Sequence, residues 1–596
     1  MRPSTRHDWL AAVALLAGLA AAWALPPATT GDSAARAIAA LAIGALLALA
    51  VARNPFTFAP RIRTAFGLLV AFALWYVASR LWAIDPGESM AEGAQVSAVV
   101  LLGWAAHTAV TGVGARRLLL AGIAGCALFV SARPGWEFLQ HGAPQTREAG
   151  ELGYWNASAI VALMLVPVAV AIAGSARRRL ILAALVLLPI ASVAAVSAAS
   201  RGALVALVVA LLFQAVLDPD YRGGLPRALV AGGCVGLIVA GLAVDEVPAA
   251  VAVLVPTVLA GVGFAVIRAR RLRRAARAPL QDAAELTPPV QRRRGVQLAG
   301  AGIVVLLAVL LVALVVDAGN GRLPDRSANE SARLTSTDDG LRTAWWQEGI
   351  DIWQSAPLVG VGGGGYALEV GERPAHVHSL PVEVLLETGL VGAALLLAAS
   401  IQFLRVLRRG ERTVERALGG AIAALVLAQA LIDWSLSYPQ IAALVALAVP
   451  LALQSPPDPS VERVPATRAL AAVTMLGALA AATLVAFVPA VASLLADQAT
   501  EDLDHQRPAA AAKLYAQSLQ LVPSLDTLTL QVVALDQAGQ HAAARQALRD
   551  HEQVWSVRRD GLELARDVLG DDRELAPMIN RRIEQLDADA RIRDLS

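Results

Sequence analysis

Apolar stretches long enough to cross a bilayer recur along most of this chain, and no other feature limits its fold so strongly. A spanning helix needs about 20 mostly apolar residues, and backbone surrounded by lipid must satisfy its own hydrogen bonds. We read spans at 9–25, 35–51, 64–82, 93–112, 116–133, 155–174, 180–199, 203–217, 228–244, 248–267, 296–316, 381–402, 415–433, 438–453 and 469–489, fifteen in all. Composition agrees: 57% of the residues are hydrophobic and 16% are charged, which excludes an ordinary soluble enzyme. The expected fold class is an all-α polytopic membrane protein. The first apolar run reads as a retained helix, because no small-residue cleavage pattern follows it. Cys126 and Cys234 both fall in apolar segments and form neither a disulfide framework nor a metal-ligand spacing.

The charges orient the spans. Arg2 and Arg6 precede the first span; Arg53, Arg61 and Arg63 follow the second; Arg116 and Arg117 follow the fourth; Arg177, Arg178 and Arg179 follow the sixth. Nine arginines lie between 268 and 294 against Asp282 and Glu285, and Arg405, Arg408, Arg409 and Arg412 follow the twelfth span. If the spans alternate, all of these loops share one side, and by the positive-inside rule that side is the cytoplasm. The basic run at 268–277 is then a juxtamembrane topology signal rather than a nucleic-acid patch, and no nucleic-acid partner is expected. The opposite side receives 83–92, 134–154, the Ser200-Arg201-Gly202 turn, a long loop at 317–380 and everything after 490. The membrane domain is therefore read as 1–489. Residues 497–596 form a soluble helical domain with 18 acidic and 12 basic residues. Ala510 and Leu514 recur 34 residues later as Ala544 and Leu548, a period that suggests TPR-like helical hairpins. Such a domain offers a surface for a protein partner.

Chemistry concentrates between Arg342 and Gly389. This stretch holds Trp345, Trp346, the run Gly360-Val-Gly362-Gly-Gly-Gly365, then His376-Val-His378-Ser379 and Glu387-Thr-Gly389. Histidine changes charge near neutral pH and suits proton transfer at a site open to water. The plainer reading makes His376 and His378 interfacial residues at a helix start, and the tryptophans an aromatic belt. The glycine run is no phosphate-binding P-loop, since no Gly-Lys-Ser/Thr follows it; it permits a tight turn. His376-x-His378 meets no acidic residue until Glu383, so no metal is expected. Arg201, beside a span on the outer face, is either a snorkelling anchor or a planar fork of donors for a phosphate oxygen pair.

Several pieces together resemble the O-antigen ligase/polymerase superfamily of bacterial membrane glycosyltransferases. Ser79-Arg-Leu-Trp82-Ala83-Ile-Asp85-Pro86 is similar to its Trp-Ser/Ala-x-Asp-Pro element, and Gly153-Tyr-Trp-Asn156 to its Gly-x-x-Asn element. Ser200-Arg201-Gly202 corresponds to its Ser-Arg-Gly turn, and His378-Ser379 with Gly389 to its His-Ser/Asn-x9-Gly spacing. The resemblance covers roughly 60–450. It implies a C-type glycosyltransferase-like helical bundle in the cell (inner) membrane, with the C-terminal domain outside the cytoplasm. It also implies transfer of a glycan from an undecaprenyl-diphosphate carrier to a glycan, lipid or protein hydroxyl, without cofactor or metal. His378 would be the base. Arg201 and Arg342 would hold the diphosphate, and Ser200, His376 and Asn156 would complete the substrate site among membrane lipids.

Two other functional classes fit the chain less well. A transporter or flippase of the same lipid-linked glycan should carry charge inside its spans and show two related halves, and neither is evident. A membrane scaffold presenting the C-terminal domain would leave Arg201, Arg342 and His378 unexplained. Within the superfamily, a protein O-oligosaccharyltransferase shares the same motifs.

Overall fold

A computed structural model describes residues 4–25, 31–52, 60–83, 85–141, 152–175, 177–198, 200–242, 247, 249–277, 342–366, 376–410, 412–453, 467–556, 559–572 and 575–584. The span expected at 296–316, Arg373 and all of 317–341, Arg333 included, lie outside the described residues. Among the described residues the protein is all-α, a polytopic membrane protein. The membrane-domain helices are α1 (Arg6–Trp23), α2 (Gly31–Ala50), α3 (Pro60–Ala78), α4 (Pro86–Ala109), α5 (Val113–His141), α6 (Trp155–Leu163), α7 (Leu165–Ala173), α8 (Arg178–Ser197), α9 (Arg201–Leu217), α10 (Tyr221–Leu242) and α11 (Ala249–Arg277). After them come α12 (Arg342–Trp353), α13 (Leu380–Arg409), α14 (Val414–Ala430), α15 (Pro439–Leu453) and α16 (Thr467–Asp504). Seven helices among the described residues are long and apolar enough to cross a membrane: those at 62–81, 113–134, 155–173, 178–197, 223–242, 250–273 and 380–409.

Small residues let these helices approach closely, the usual device where lipid removes any hydrophobic drive for association. α1 crosses α2 with Gly18 facing Gly44 and the Ala40 carbonyl. α14 packs along α9, and α13 along α3. The core is a continuous apolar cluster running from Ala11 to Ala486 and containing Trp104, Phe66 and Phe264.

The polar groups separate to the two ends of the bundle. At one end Asp8 accepts from Thr111 N (2.9 Å), Thr111 Oγ1 (2.7 Å) and Gly112 N (3.1 Å), and Arg117 pairs with Glu415 at 2.7 Å. There too Arg227 pairs with Asp218 at 2.9 Å, and the buried Arg416 donates to the Val406 carbonyl at the end of α13. The other end gathers 82–92, 153–156, 200–203, 342–366, 376–379 and 433–438. The arginine-rich loops expected on the inside thus share one end, wherever they are described.

α13 is broken in its third turn, at Gly389. Gly389 sits at φ 64° and ψ −169°, a region open essentially to glycine alone. The break frees backbone groups that an intact helix would bond internally. A turn supplied by Pro357–Gly362 takes them up: Val361 N donates to Leu386 O (3.0 Å) and Gly362 N to Glu387 O (3.0 Å). In the reverse direction Leu390 N donates to Pro357 O (3.0 Å) and Val391 N to Leu358 O (3.3 Å). Gly360, at φ 74°, lies against the Glu387 carbonyl and leaves no room for a Cβ.

α16 continues past the membrane core into the C-terminal helices α17 (Pro508–Leu521), α18 (Leu525–Gln537), α19 (His541–Asp550), α20 (Glu552–Trp555) and α21 (Arg559–Leu569). These have their own core around Tyr515, Leu528, Leu548, Trp555 and Leu562. The 34-residue echo does not pair equivalent environments, since Ala510 is exposed and Ala544 buried. The domain is seated on the bundle. Gly87, in the first turn of α4, touches the Pro523 carbonyl, Arg36 of α2 pairs with Asp497, and Ser518 Oγ donates to Ala492 O at 2.8 Å.

Two expectations follow. With Cys126 and Cys234 replaced, a cysteine at Ser327 or Ala543 labels with an impermeant thiol reagent in intact spheroplasts, and one at Gln281 does not; labelling at Gln281 alone would reverse the orientation. Gly389→Ala, which would stabilise an ordinary helix, here costs about 1–3 kcal/mol or more because the backbone angle is closed to alanine. Thermal unfolding of the purified protein checks it, and an unchanged midpoint would be the contrary result.

Candidate active site

Four separate pieces of sequence converge at the end of the bundle that carries the broken α13. The first is 79–89. Asp85 caps α4, its Oδ1 accepting from Gly87 N (2.8 Å) and Glu88 N (2.9 Å), with Pro86 as the first helical residue. Ala83 packs on Gly362, and Ser79 Oγ bonds Ser89 Oγ at 2.8 Å. This piece therefore supports the glycine run. Across from it Gly364 N donates to Glu387 Oε1 at 2.8 Å, and Tyr76 OH donates to the other oxygen of the same buried carboxylate.

The second piece is Gly153–Asn156. Tyr154 OH and Asn156 Nδ2 both donate to Asp433 Oδ2, at 2.7 and 2.6 Å. Asn156 also donates to Tyr154 OH at 2.7 Å. Asn156, expected at the substrate site, is only 3% exposed and its amide is committed to Asp433. Asp433 is fully buried; its Oδ1 accepts from Ser435 N (3.0 Å) and from Ser435 Oγ. Such a charge is tolerable only with this many donors.

The third piece is Ser200-Arg201-Gly202. Ser200 caps α9, accepting from Ala203 N at 3.4 Å, so Arg201 is the first residue of the helix and half-buried. Gly202 lies against Gln429 and Ile432, in the turn just before Asp433. Arg201 is thus held at the same end as the carboxylate that binds the next arginine.

The fourth piece is 342–379. Arg342 opens α12 and its Nη2 stands 3.9 Å from Asp433 Oδ2. The Arg342 Nε is buried without a partner. α12 turns Trp345 and Trp346 inward, while Thr343, Ala344 and Gln347 are exposed. Trp346 Nε1 donates to His378 O (3.2 Å), and the Trp345 ring lies 4.6 Å from that of His378. Gly349 packs on Val377.

His378 has φ 55°, a left-handed conformation for a residue with a side chain. Its Nδ1 lies 2.9 Å from His376 O. A carbonyl can only accept, so Nδ1 carries the hydrogen, and in the neutral ring Nε2 carries the lone pair. Burial pushes the His378 imidazole below the ordinary histidine value, Arg342 and His376 push the same way, and together they outweigh the pull of the His376 carbonyl and Asp433. His376 behaves oppositely. Burial lowers its pKa, but the Glu383 carboxylate at 2.6 Å, with Glu387 and Glu88 beyond, carries it above the usual value.

The structure therefore brings Arg201, Arg342, His376 and His378 to one end of the bundle and puts Ser200 and Asn156 in support. The sequence motifs assign no role to Asp433, Tyr154 or Trp434. The available signal was an acidic residue at the outer end of an apolar span, where an unpaired charge is costly. Among the described residues no three His, Cys, Asp or Glu side chains gather as metal ligands.

No curated protein matches this chain. Residues 187–397 match the family described as O-antigen ligase, a stretch that starts within α8, ends within α13 and takes in Arg201, Arg342, His376 and His378. By that match this part of the chain, about a third of its length, is similar to the O-antigen ligase family.

Proposed function

We propose that the protein transfers a glycan from an undecaprenyl-diphosphate carrier to an acceptor hydroxyl at the outer face of the inner membrane, with the C-terminal domain on that same side. The observation that carries this reading is the fixed tautomer of His378 at the end of the bundle that also holds Arg201 and Arg342. His378 Nε2 takes the proton from the acceptor hydroxyl. The hydroxyl oxygen bonds to the sugar carbon attached to the diphosphate, the bond from that carbon to the diphosphate oxygen breaks, and undecaprenyl diphosphate leaves. A sugar hydroxyl is a poor nucleophile near neutral pH, and a positioned base contributes about 10²–10⁴-fold. The diphosphate leaves without a protein acid once its charge is offset, and the reading assigns that offset to the two arginines rather than to a metal. Arg201 suits it as a planar fork at a helix N-terminus, where anions are favoured.

His378→Ala is expected to lower transfer by about 10²–10⁴-fold in reconstituted vesicles, while the protein still inserts and binds donor. Wild-type turnover by that variant would remove the mechanism. For the wild type the rate should fall as pH drops below 6.5 through the depressed His378 value, because only the deprotonated ring acts as base. Arg201→Ala should weaken use of the donor, and Arg201→Lys should recover it only in part, since an ammonium lacks the bidentate fork. Full activity in both arginine variants would make Arg201 an anchor at the interface.

A further inference from the structure

Two histidines lie within one turn, and the structure treats them differently. His378 is half-buried and bonded through Nδ1 to a backbone carbonyl. His376 is 6% exposed, its Nδ1 is bound to Glu383 Oε1 at 2.6 Å, and Glu383 is itself 8% exposed. One face of its ring is stacked on Trp434, with centroids 4.5 Å apart and planes at 19°. Its Nε2 is buried without a partner. The carboxyl groups around it are Glu383 and Glu387 from α13 and Glu88 from α4.

The same residue supplies the backbone carbonyl that fixes the His378 tautomer. His376 is bonded to the first turn of α13 through Glu383 and stacked on the residue next to Asp433, so it joins the 376–378 turn to both walls of the site. His378 needs such support, because its left-handed backbone is unfavourable for a side-chain-bearing residue and persists only when its surroundings hold it.

We infer that Glu383 and His376 form a positioning dyad for the base: Glu383 anchors the His376 ring, and the anchored residue presents the carbonyl that holds Nδ1–H of His378 and aims its Nε2. The dyad rests on the reading of His378 as base and deepens it. Neither member touches substrate. A small displacement of a catalytic group, on the order of 1 Å, can cost about 10²-fold, so this support acts on turnover rather than on donor affinity.

The test uses the full chain in lipid nanodiscs, with transfer from lipid-linked glycan as one readout and affinity for farnesyl diphosphate as the other. Glu383→Ala removes the anchor. His376→Phe keeps the ring on Trp434 but loses the bond to Glu383. Each should lower kcat by about 10–100-fold and leave farnesyl diphosphate affinity unchanged. Glu383→Gln should recover most of the turnover, because its amide oxygen still accepts the imidazole N–H. Wild-type kcat in both Glu383→Ala and His376→Phe would overturn the dyad. So would parallel loss of turnover and probe affinity in both, or no recovery in Glu383→Gln. His378→Ala run alongside separates the two ideas. Turnover without His378 defeats the base itself, whereas an inactive His378→Ala beside fully active dyad variants defeats only the dyad.

Discussion

The site depends on a backbone exchange between the Pro357–Gly362 turn and the broken helix at Gly389. Four hydrogen bonds cross between them, two in each direction. In apolar surroundings a freed amide or carbonyl costs several kcal/mol unless it finds a partner. The break is therefore tolerable only where that turn is docked, and the turn is held only where the helix is broken. This reciprocity positions the pieces packed around it. It places Gly364 against Glu387, Gly362 against Ala83, and the His376–Ser379 segment at the head of α13. A loop on a membrane surface would ordinarily be mobile; here its backbone is part of a helix.

The second organising element is a single carboxylate. Asp433 binds Tyr154, Asn156 and Ser435 and stands beside Arg342, so one buried charge ties together three segments remote in sequence. At 3.9 Å the arginine is close enough to be placed without being consumed by a tight bidentate pair. The family pieces that look unrelated along the chain share this centre. Gly153–Asn156 builds the carboxylate's donors, the Ser200–Gly202 turn packs beside the residues before it, and Arg342 faces it. The Asp85-Pro86 cap plays the corresponding part for the glycine run.

The C-terminal helices are joined to the same end of the molecule rather than hung from it. α16 passes from the membrane core into that domain without interruption, and Pro523 rests on Gly87, two residues from the cap of α4. Contacts of this kind couple the domain to the turn that supports the glycine run.

The sequence by itself determined the class of fold and the sidedness of its charges. Apolar length and arginine placement reflect the cost of putting charge and unpaired backbone in lipid, and that cost is read residue by residue without knowing any contact. It also marked His378, Arg201 and Arg342, whose chemistry is scarce beside apolar spans. The roles of Asp433, Glu383 and Trp434 could not be read that way. Asp433 closes an apparent span and Glu383 opens another, and each looks like an ordinary interfacial acid until its donors arrive, for Asp433 from 277 and 279 residues away and for Glu383 from across a turn. The difference between His376 and His378 was likewise decided by tertiary structure. The two share a residue type and a neighbourhood, and only tertiary structure gives one ring a carboxylate and an indole face and the other a backbone carbonyl.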